Sequence, residues 1–308
     1  MVVSYRCPDL LGRCLESLRQ HPLTSGPTTV HVVDNASGDA TAQMVRGRFP
    51  EIRFHLMPDN VGFSRANNHV LRDSEARYVL LLNPDTEVRE GTLDHMVELM
   101  DARGDVGMAG CRLVQPDGMF DHAAKRGFPT PTSALAHFAS VGRRDGASDR
   151  LAHYRAPGVD ETGVGEVDAV NGAFMLVRVE AMRAVGLLDE GYWLYMEDLD
   201  WCKRFQLAGW KVLYDGRVET LHVKGGAAGK HRRLRQNVAF HQGMARFYRK
   251  FDSGKNPLLD AAVYLGIFAK LAVSATRSGL ARGRLAADRR TKASPAPTST
   301  PRRAAPDV

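Results

Sequence analysis

Three sets of carboxylates in this 308-residue chain occupy positions where they could do chemistry. Asp34 ends the apolar run Val32-Val33 and precedes Asn35-Ala36-Ser37-Gly38. At the carboxyl end of a strand in an open α/β sheet, it can accept a hydrogen bond from a ribose hydroxyl or a base N–H. It can equally cap the turn that follows. Asp85 comes after Leu80-Leu81-Leu82-Asn83-Pro84. A buried strand would deliver it as a hard oxygen ligand for Mg²⁺ or Mn²⁺ against a diphosphate, or leave it in an Asx turn. Glu197, Asp198 and Asp200 lie among Tyr192, Trp193, Tyr195 and Trp201. Acids packed against aromatics can have one pKa raised and supply a general base, whereas acids in a first helical turn can simply complement the macrodipole.

Two further stretches bear on the same chemistry. In Asp59-Asn60-Val61-Gly62-Phe63-Ser64-Arg65-Ala66-Asn67-Asn68, a glycine ahead of a helix start lets backbone N–H groups approach a phosphate. Arg65 there can add charge-assisted bonds or stay solvated, and Ser64 can be a plain N-cap. His222 lies past a strand and before the basic run 224–235, as a metal ligand or an ordinary satisfied histidine.

The elements that must position these residues alternate. Period and apolar runs predict strands at 1–4, 30–33, 52–57, 78–82, 106–113 and 211–214, with order again over 167–178. Helices are predicted at 8–18, 39–48, 92–103, 179–185, 198–208, 234–251 and 257–280. This is the pattern of βα units around a largely parallel sheet. Residues 121–165, rich in Gly, Pro, Ala and Arg, read as a long excursion of the kind that often serves as a substrate loop. Tyr5-Arg6-Cys7-Pro8-Asp9 follows the first strand in place of a glycine-rich turn, so a dinucleotide-binding unit is not indicated, and there is no Walker A lysine loop.

Charge is unevenly spread. Residues 1–223 hold 24 basic and 31 acidic side chains, 224–250 hold 8 basic and none acidic, and 276–308 hold 8 basic and 2 acidic. An acidic body with a basic C-terminal quarter suits an anionic substrate or a membrane surface. Nucleic acid is not an expected partner, because 224–235 interleaves no aromatic platforms with its charge. The 257–280 helix reads as too short and charged to span a bilayer; Asp260, Lys270, Ser274 and Ser278 fall on one side of an amphipathic surface helix. The four cysteines show no CxxC spacing and fit thiols in a reducing compartment, and no signal peptide is expected.

Taken in order, these pieces resemble the family 2 inverting glycosyltransferases of GT-A fold, most like bacterial rhamnosyltransferase-type enzymes of cell-wall and surface polysaccharide assembly. The resemblance runs from Val2-Val3-Ser4-Tyr5 through Val33-Asp34-Asn35, the Asn60–Asn67 stretch and Leu82-Asn83-Pro84-Asp85. It continues through Asn171-Gly172-Ala173-Phe174 and Val185–Glu190 to Tyr195-Met196-Glu197-Asp198-Leu199-Asp200 and His222. Arg6 stands where the family usually has Asn, Asn83 where a DxD motif would begin, and Leu188 where Phe is usual.

The resemblance implies a mixed, mostly parallel sheet flanked by helices over residues 1–250; beyond it, the chain's own pattern predicts an amphipathic helical extension over 251–290 and a disordered basic tail over 291–308. The resemblance also implies that Tyr5, Asp34, Asn60, Gly62, Arg65, Asn67 and Asn83 bind the nucleotide sugar. Asp85 and His222 would hold a divalent Mg or Mn ion, and Asp198 would be the catalytic base. The implied reaction is inverting transfer from a nucleotide-diphosphate sugar, first dTDP-rhamnose, to a lipid-linked or glycan acceptor. It would take place on the inner face of the plasma membrane, against an anionic surface. Another hexose or N-acetylhexosamine donor, or a non-catalytic binder of the same fold, are the alternatives.

Overall fold

The computed structural model describes residues 1–130, 156, 158–223 and 234–292. Its elements run β1 (Val2–Ser4), α1 (Pro8–Gln20), β2 (His31–Asp34), α2 (Thr41–Arg48), β3 (Arg53–Leu56), α3 (Phe63–Leu71), β4 (Tyr78–Leu82) and β5 (Thr86–Val88). Next come α4 (Thr92–Ala102), β6 (Val106–Val114), β7 (Lys125–Arg126), β8 (Val164–Glu166), β9 (Ala169–Val170) and β10 (Phe174–Arg178). The chain closes with α5 (Val179–Val185), α6 (Glu197–Leu207), β11 (Lys211–His222), α7 (Leu234–Phe251) and α8 (Pro257–Lys292).

The main sheet is ordered β3-β2-β1-β4-β10-β6-β11-β5, with β8 added on β11. β3, β2, β1 and β4 are parallel, as short βα units require. β10 then enters antiparallel between β4 and β6, with Leu81 opposite Met175 and Ala109 opposite Leu176. The interior strands are buried on both faces, so Leu81, Leu82, Met108, Phe174, Met175 and Val177 are apolar without alternation. Pro8 opens α1, where its missing N–H costs nothing, and Leu11, Cys14 and Leu15 turn one side of that helix into the core.

The structure departs from the sequence expectations in three places. β11 does not stop at 214 but continues to His222 across a bulge between Asp215 and Glu219. Fully buried Asp215 holds that bulge, accepting bonds from His95 Nε2 at 2.9 Å and Arg217 Nη2 at 2.6 Å. A polar, glycine-containing run therefore remains strand through side-chain bonds that periodicity does not register. β5 and the two-stranded ribbon β7–β9 are too short to carry a periodic signal. α8 runs past 280 to Lys292, into the stretch expected to be tail; 293–308, 224–233 and most of the 121–165 excursion lie outside the described residues.

α8 also corrects the view that this segment is too short to span, since Pro257–Thr276 has the length and hydropathy for it. Its polar side faces the protein. Asp260 accepts bonds from Tyr248 Oη at 2.6 Å and the Gly254 N–H, Ser274 bonds Asn237, and Val263 and Ile267 pack on Tyr248 of α7. The outward side carries Leu258, Ala261, Ala262, Leu265, Phe268 and Val273, with Leu258 84% and Leu265 73% exposed. A surface helix of a water-soluble domain turns the opposite way.

Candidate active site

The carboxyl ends of β1, β2 and β4 open on one side of the sheet. Asp34, buried at the end of β2, accepts bonds at Oδ1 from the Ser37 N–H at 3.1 Å and from Ser37 Oγ. This is the Asx turn that the sequence allowed, and among the described residues it occupies only Oδ1. Arg6 braces the turn, its N–H donating to Ser37 Oγ at 2.8 Å and its Nε to the Ser37 carbonyl at 3.1 Å. Its guanidinium lies over the half-buried Tyr5 ring, 5.2 Å from the centroid. Tyr5 and Asp34 thus flank one end of the opening.

Asn35, which no reading of composition singled out, ties this turn to the next loop. Its Nδ2 donates to Asn60 Oδ1 and the Gly62 carbonyl, and its Oδ1 accepts from the Val61 N–H at 2.9 Å. The expected phosphate cradle has other partners here. Gly62 N–H goes to Asn60 Oδ1 at 3.2 Å, and Phe63 N–H to the Trp193 carbonyl at 2.7 Å. Gly62 itself sits at φ +88°, where a Cβ would stand 2.3 Å from the Trp193 carbonyl oxygen, so this glycine admits Trp193 to the α3 terminus. Arg65 pairs with Glu190 at 3.2 Å on the surface, and Asn67 Nδ2 donates back to the Phe63 carbonyl at 2.9 Å within its own helix.

Asp85 and His222 meet. His222 Nε2 lies 3.6 Å from Asp85 Oδ1, and its Nδ1 lies 3.0 Å from Oδ2 of Asp121, a fully buried residue. A carboxylate oxygen can only accept, so Nδ1 donates to Asp121, and Nε2 is the ring nitrogen turned toward Asp85. A histidine nitrogen and a carboxylate oxygen facing each other, with the ring oriented from behind by a second carboxylate, are donor types that could hold a divalent cation. Among the described residues no group of three His, Cys, Asp or Glu side chains assembles for a metal. The remaining ligands would be substrate oxygens or water, the usual case for Mg²⁺ at a phosphate. Asp121 lies in the stretch that the sequence left unreadable; only a carboxylate just past a long apolar strand could have marked it.

The acids of α6 are sorted by their surroundings. Asp200, fully buried, is paired with Arg204 at 2.7 Å and Lys250 at 2.6 Å and accepts from Tyr192 Oη. Glu197 is buried with no hydrogen-bond partner on Oε2, and burial, then the charge of Asp198, pushes its carboxyl up to about 8. Asp198 is partnered on both oxygens: Oδ1 by the Leu199 N–H at 2.8 Å, Oδ2 by Arg126 Nη2 at 2.5 Å and the Gly172 N–H at 3.4 Å. Tyr195 and Met196 just before it both have positive φ, +71° and +73°. Such strain persists only where packing fixes it, here by Phe240 against Tyr195 and Gly243 against the Tyr195 carbonyl.

The turn Asn171–Ala173 joins the two ends. Asn83 N–H donates to the Ala173 carbonyl, Gly172 N–H to Asp198, and Asn171 Nδ2 to the Ala123 carbonyl, two residues beyond Asp121. Asn83, Asp85, Asp121, His222 and Asp198 are thereby held around a single turn.

Comparison with known proteins agrees with this architecture. Residues 1–153 match the model of glycosyl transferase family 2. The N-acetylglucosaminyl-diphospho-decaprenol L-rhamnosyltransferase of Mycobacterium tuberculosis (strain H37Rv) is 28% identical over 241 residues, 75% of this chain and 77% of that protein. The rhamnosyltransferase WbbL of Escherichia coli K12 is 26% identical over 174 residues, 52% of this chain and 60% of that protein. The mannosyltransferase PcManGT from Pyrobaculum calidifontis, solved in complex with GDP-Man and Mn2+, superposes with a TM-score of 0.55 at 18% identity over 95% of this chain and 79% of that one. By its sheet and by these matches, residues 1–153 carry a glycosyl transferase family 2 domain, and the chain is a glycosyltransferase of GT-A fold.

Proposed function

We propose that this glycosyltransferase moves a sugar, with inversion, from a nucleotide-diphosphate donor to a lipid-linked glycan acceptor. The observation that carries the proposal is the arrangement around Asn171–Ala173: the Asp85–His222 pair on one side and the nearly buried carboxylate of Asp198 on the other. Tyr5 and Asp34, through the Oδ2 that its turn leaves over, would receive the nucleoside. Asn83 is carried beside it, while Asn60 and Gly62 shape the opening by holding Trp193. Arg65 and Asn67, bonded to Glu190 and Phe63, contribute by fixing α3. Asp85 and His222 would hold a divalent Mg or Mn ion, which would offset the charge of the departing diphosphate. Asp198 takes the acceptor proton as the acceptor oxygen bonds to the anomeric carbon and the glycosidic electron pair leaves with the diphosphate. A rhamnose donor is favoured by the names of the two rhamnosyltransferase relatives and a polyprenyl-diphosphate-borne acceptor by the first of them; the thymidine nucleotide rests on the sequence resemblance alone.

The outward apolar side of α8 supports a site of work at the inner face of the plasma membrane. Arg277, Arg282, Arg284, Arg289 and Arg290 follow it in sequence, each worth about 1 kcal/mol near an anionic surface. Lying on the surface is favoured over spanning, because a span would strip Asp260 and Ser274 from their partners on α7. Salt-sensitive flotation with anionic vesicles, lost on removal of 257–308, is the expected result; equal flotation of the shortened chain would reject it.

The reaction is tested by nucleotide-diphosphate release across a donor panel, with and without chelator. Turnover on dTDP-rhamnose that stops in chelator and returns with Mn²⁺ or Mg²⁺ is expected. Preference for another sugar would replace the donor assignment, and ligand protection without turnover would mark a binding protein.

A further inference from the structure

Arg126 lies 72 residues from Asp198 in sequence and was not expected near it, yet it makes the shortest contact on that carboxylate. It arrives on the β7–β9 ribbon, where Arg126 is opposite Ala169 and Lys125 opposite Val170. Its Nη2 also donates to the Val170 carbonyl at 3.1 Å, and the ribbon runs directly into Asn171 and Gly172. One ribbon therefore supplies both donors to Oδ2, the Arg126 guanidinium and the Gly172 N–H. The two side chains are only 10% and 13% exposed, so the pair is shielded from solvent.

A carboxylate has about four lone-pair directions, two on each oxygen. On Asp198 both directions of Oδ2 are filled, while Oδ1 spends one on the Leu199 N–H. We propose that Arg126 is the positioning residue of the transfer step: it locks Asp198 through Oδ2 so that the acceptor hydroxyl approaches Oδ1 and delivers its proton there. This rests on the reading of Asp198 as the base. The balance is closed: the acceptor O–H breaks, the proton goes to Oδ1, and the acceptor oxygen replaces the diphosphate oxygen at the anomeric carbon. Burial pushes the Glu197 carboxyl beside the pair upward, toward its neutral form, so it competes less for Arg126.

The test compares Arg126→Ala, Arg126→Lys and Asp198→Asn for transfer rate, donor KM and thermal melting, with and without added guanidinium. Removing a group that orients a general base costs about 10²-fold in kcat, with donor KM within a few-fold. We expect that loss in folded Arg126→Ala, partial recovery in Arg126→Lys, recovery of Arg126→Ala by guanidinium, and no recovery of Asp198→Asn by guanidinium. A merely structural arginine would lower melting without responding to guanidinium. If Arg126→Ala does not fold, Arg126→Lys decides: a kcat loss at unchanged donor KM supports positioning, and wild-type kcat overturns it. Undiminished kcat in folded Arg126→Ala, or a loss that neither lysine nor guanidinium repairs, overturns the proposal while an inactive Asp198→Asn leaves the base in place. Normal turnover in Asp198→Asn instead removes the base assignment itself.

Discussion

The parallel half of the sheet, β3-β2-β1-β4, and the half rearranged around β10 reach the cleft by different routes. In the parallel half each polar residue is delivered by the strand before it. Asp34 ends β2 and bonds Ser37 three residues on, while Asp85 follows β4 and is the point where this half meets His222 of the other. In the other half the contacts are long-range: His222 with Asp121 across 101 residues, Arg126 with Asp198 across 72. Where local geometry sets a site, its residues can be substituted one at a time; where distant segments clamp each other, the loss of one member disturbs the rest.

The sharpest break of that comparison is Asp198→Asn. It keeps shape and the donor end but removes the proton acceptor, so transfer should fall by about 10²–10⁴ while donor affinity stays within a few-fold. Rate and equilibrium binding measured on the same sample check it; a parallel fall in donor affinity would mean the two halves are not separable. On the other side of the cleft, Asp121→Asn leaves His222 without the anion behind its Nδ1. The Mn²⁺ concentration for half-maximal turnover should rise by about 10–100-fold, the usual cost of losing a partner behind a metal ligand. Asp85→Ala should weaken donor binding in addition.

Gly62→Ala tests the junction between the halves. The φ of +88° with extended ψ is a glycine-only conformation, and the new Cβ would meet Trp193 backbone. Destabilisation of about 2–4 kcal/mol is expected in chemical denaturation. The smallest effect is expected from Glu197→Gln, and it depends on pH. The folded carboxyl titrates at about 8 against an ordinary 4.5, so its contribution to stability is fully present below 4.5 and lost as pH rises through about 8. Replacement should flatten the melting temperature across that window and leave the variant more stable than wild type at pH 8, by on the order of 1–3 kcal/mol. A wild-type slope that persists in the variant would place the titration elsewhere.

How much could be read in advance follows the same division. The apolar run into Asn83-Pro84-Asp85 and the strand end at Asp34 were legible because a strand's period and its last residue are local properties. The acidic cluster of 197–200 was visible as a group, but not its internal assignment. Which acid is paired depends on Lys250, Arg204 and Arg126, and those come from α7, from one helical turn on, and from a two-residue strand. Asp121 and Arg126 were missed because they lie in a Gly- and Pro-rich stretch whose order comes from pairing with β9 and His222. Arg65 and Gly62 were singled out for a phosphate; what periodicity did not register is that one pairs with Glu190 and the other makes room for Trp193.

The insertion of β10 between β4 and β6 bears on how the chain can be cut. The 1–153 stretch that carries the family match contains β4 and β6, but these strands share no ladder; each is hydrogen-bonded to β10, at 174–178. A fragment ending at 153 would leave two interior strands, with Leu81, Leu82, Met108 and Ala109, facing an empty lane. Open apolar edges of that kind pair with other copies rather than with water. The smallest autonomous folding unit therefore reaches at least through β10, and an exchange between relatives that crosses over between β6 and β10 would combine strands whose side chains have to interdigitate, with Met175 against Leu81 on one flank and Leu176 beside Ala109 on the other.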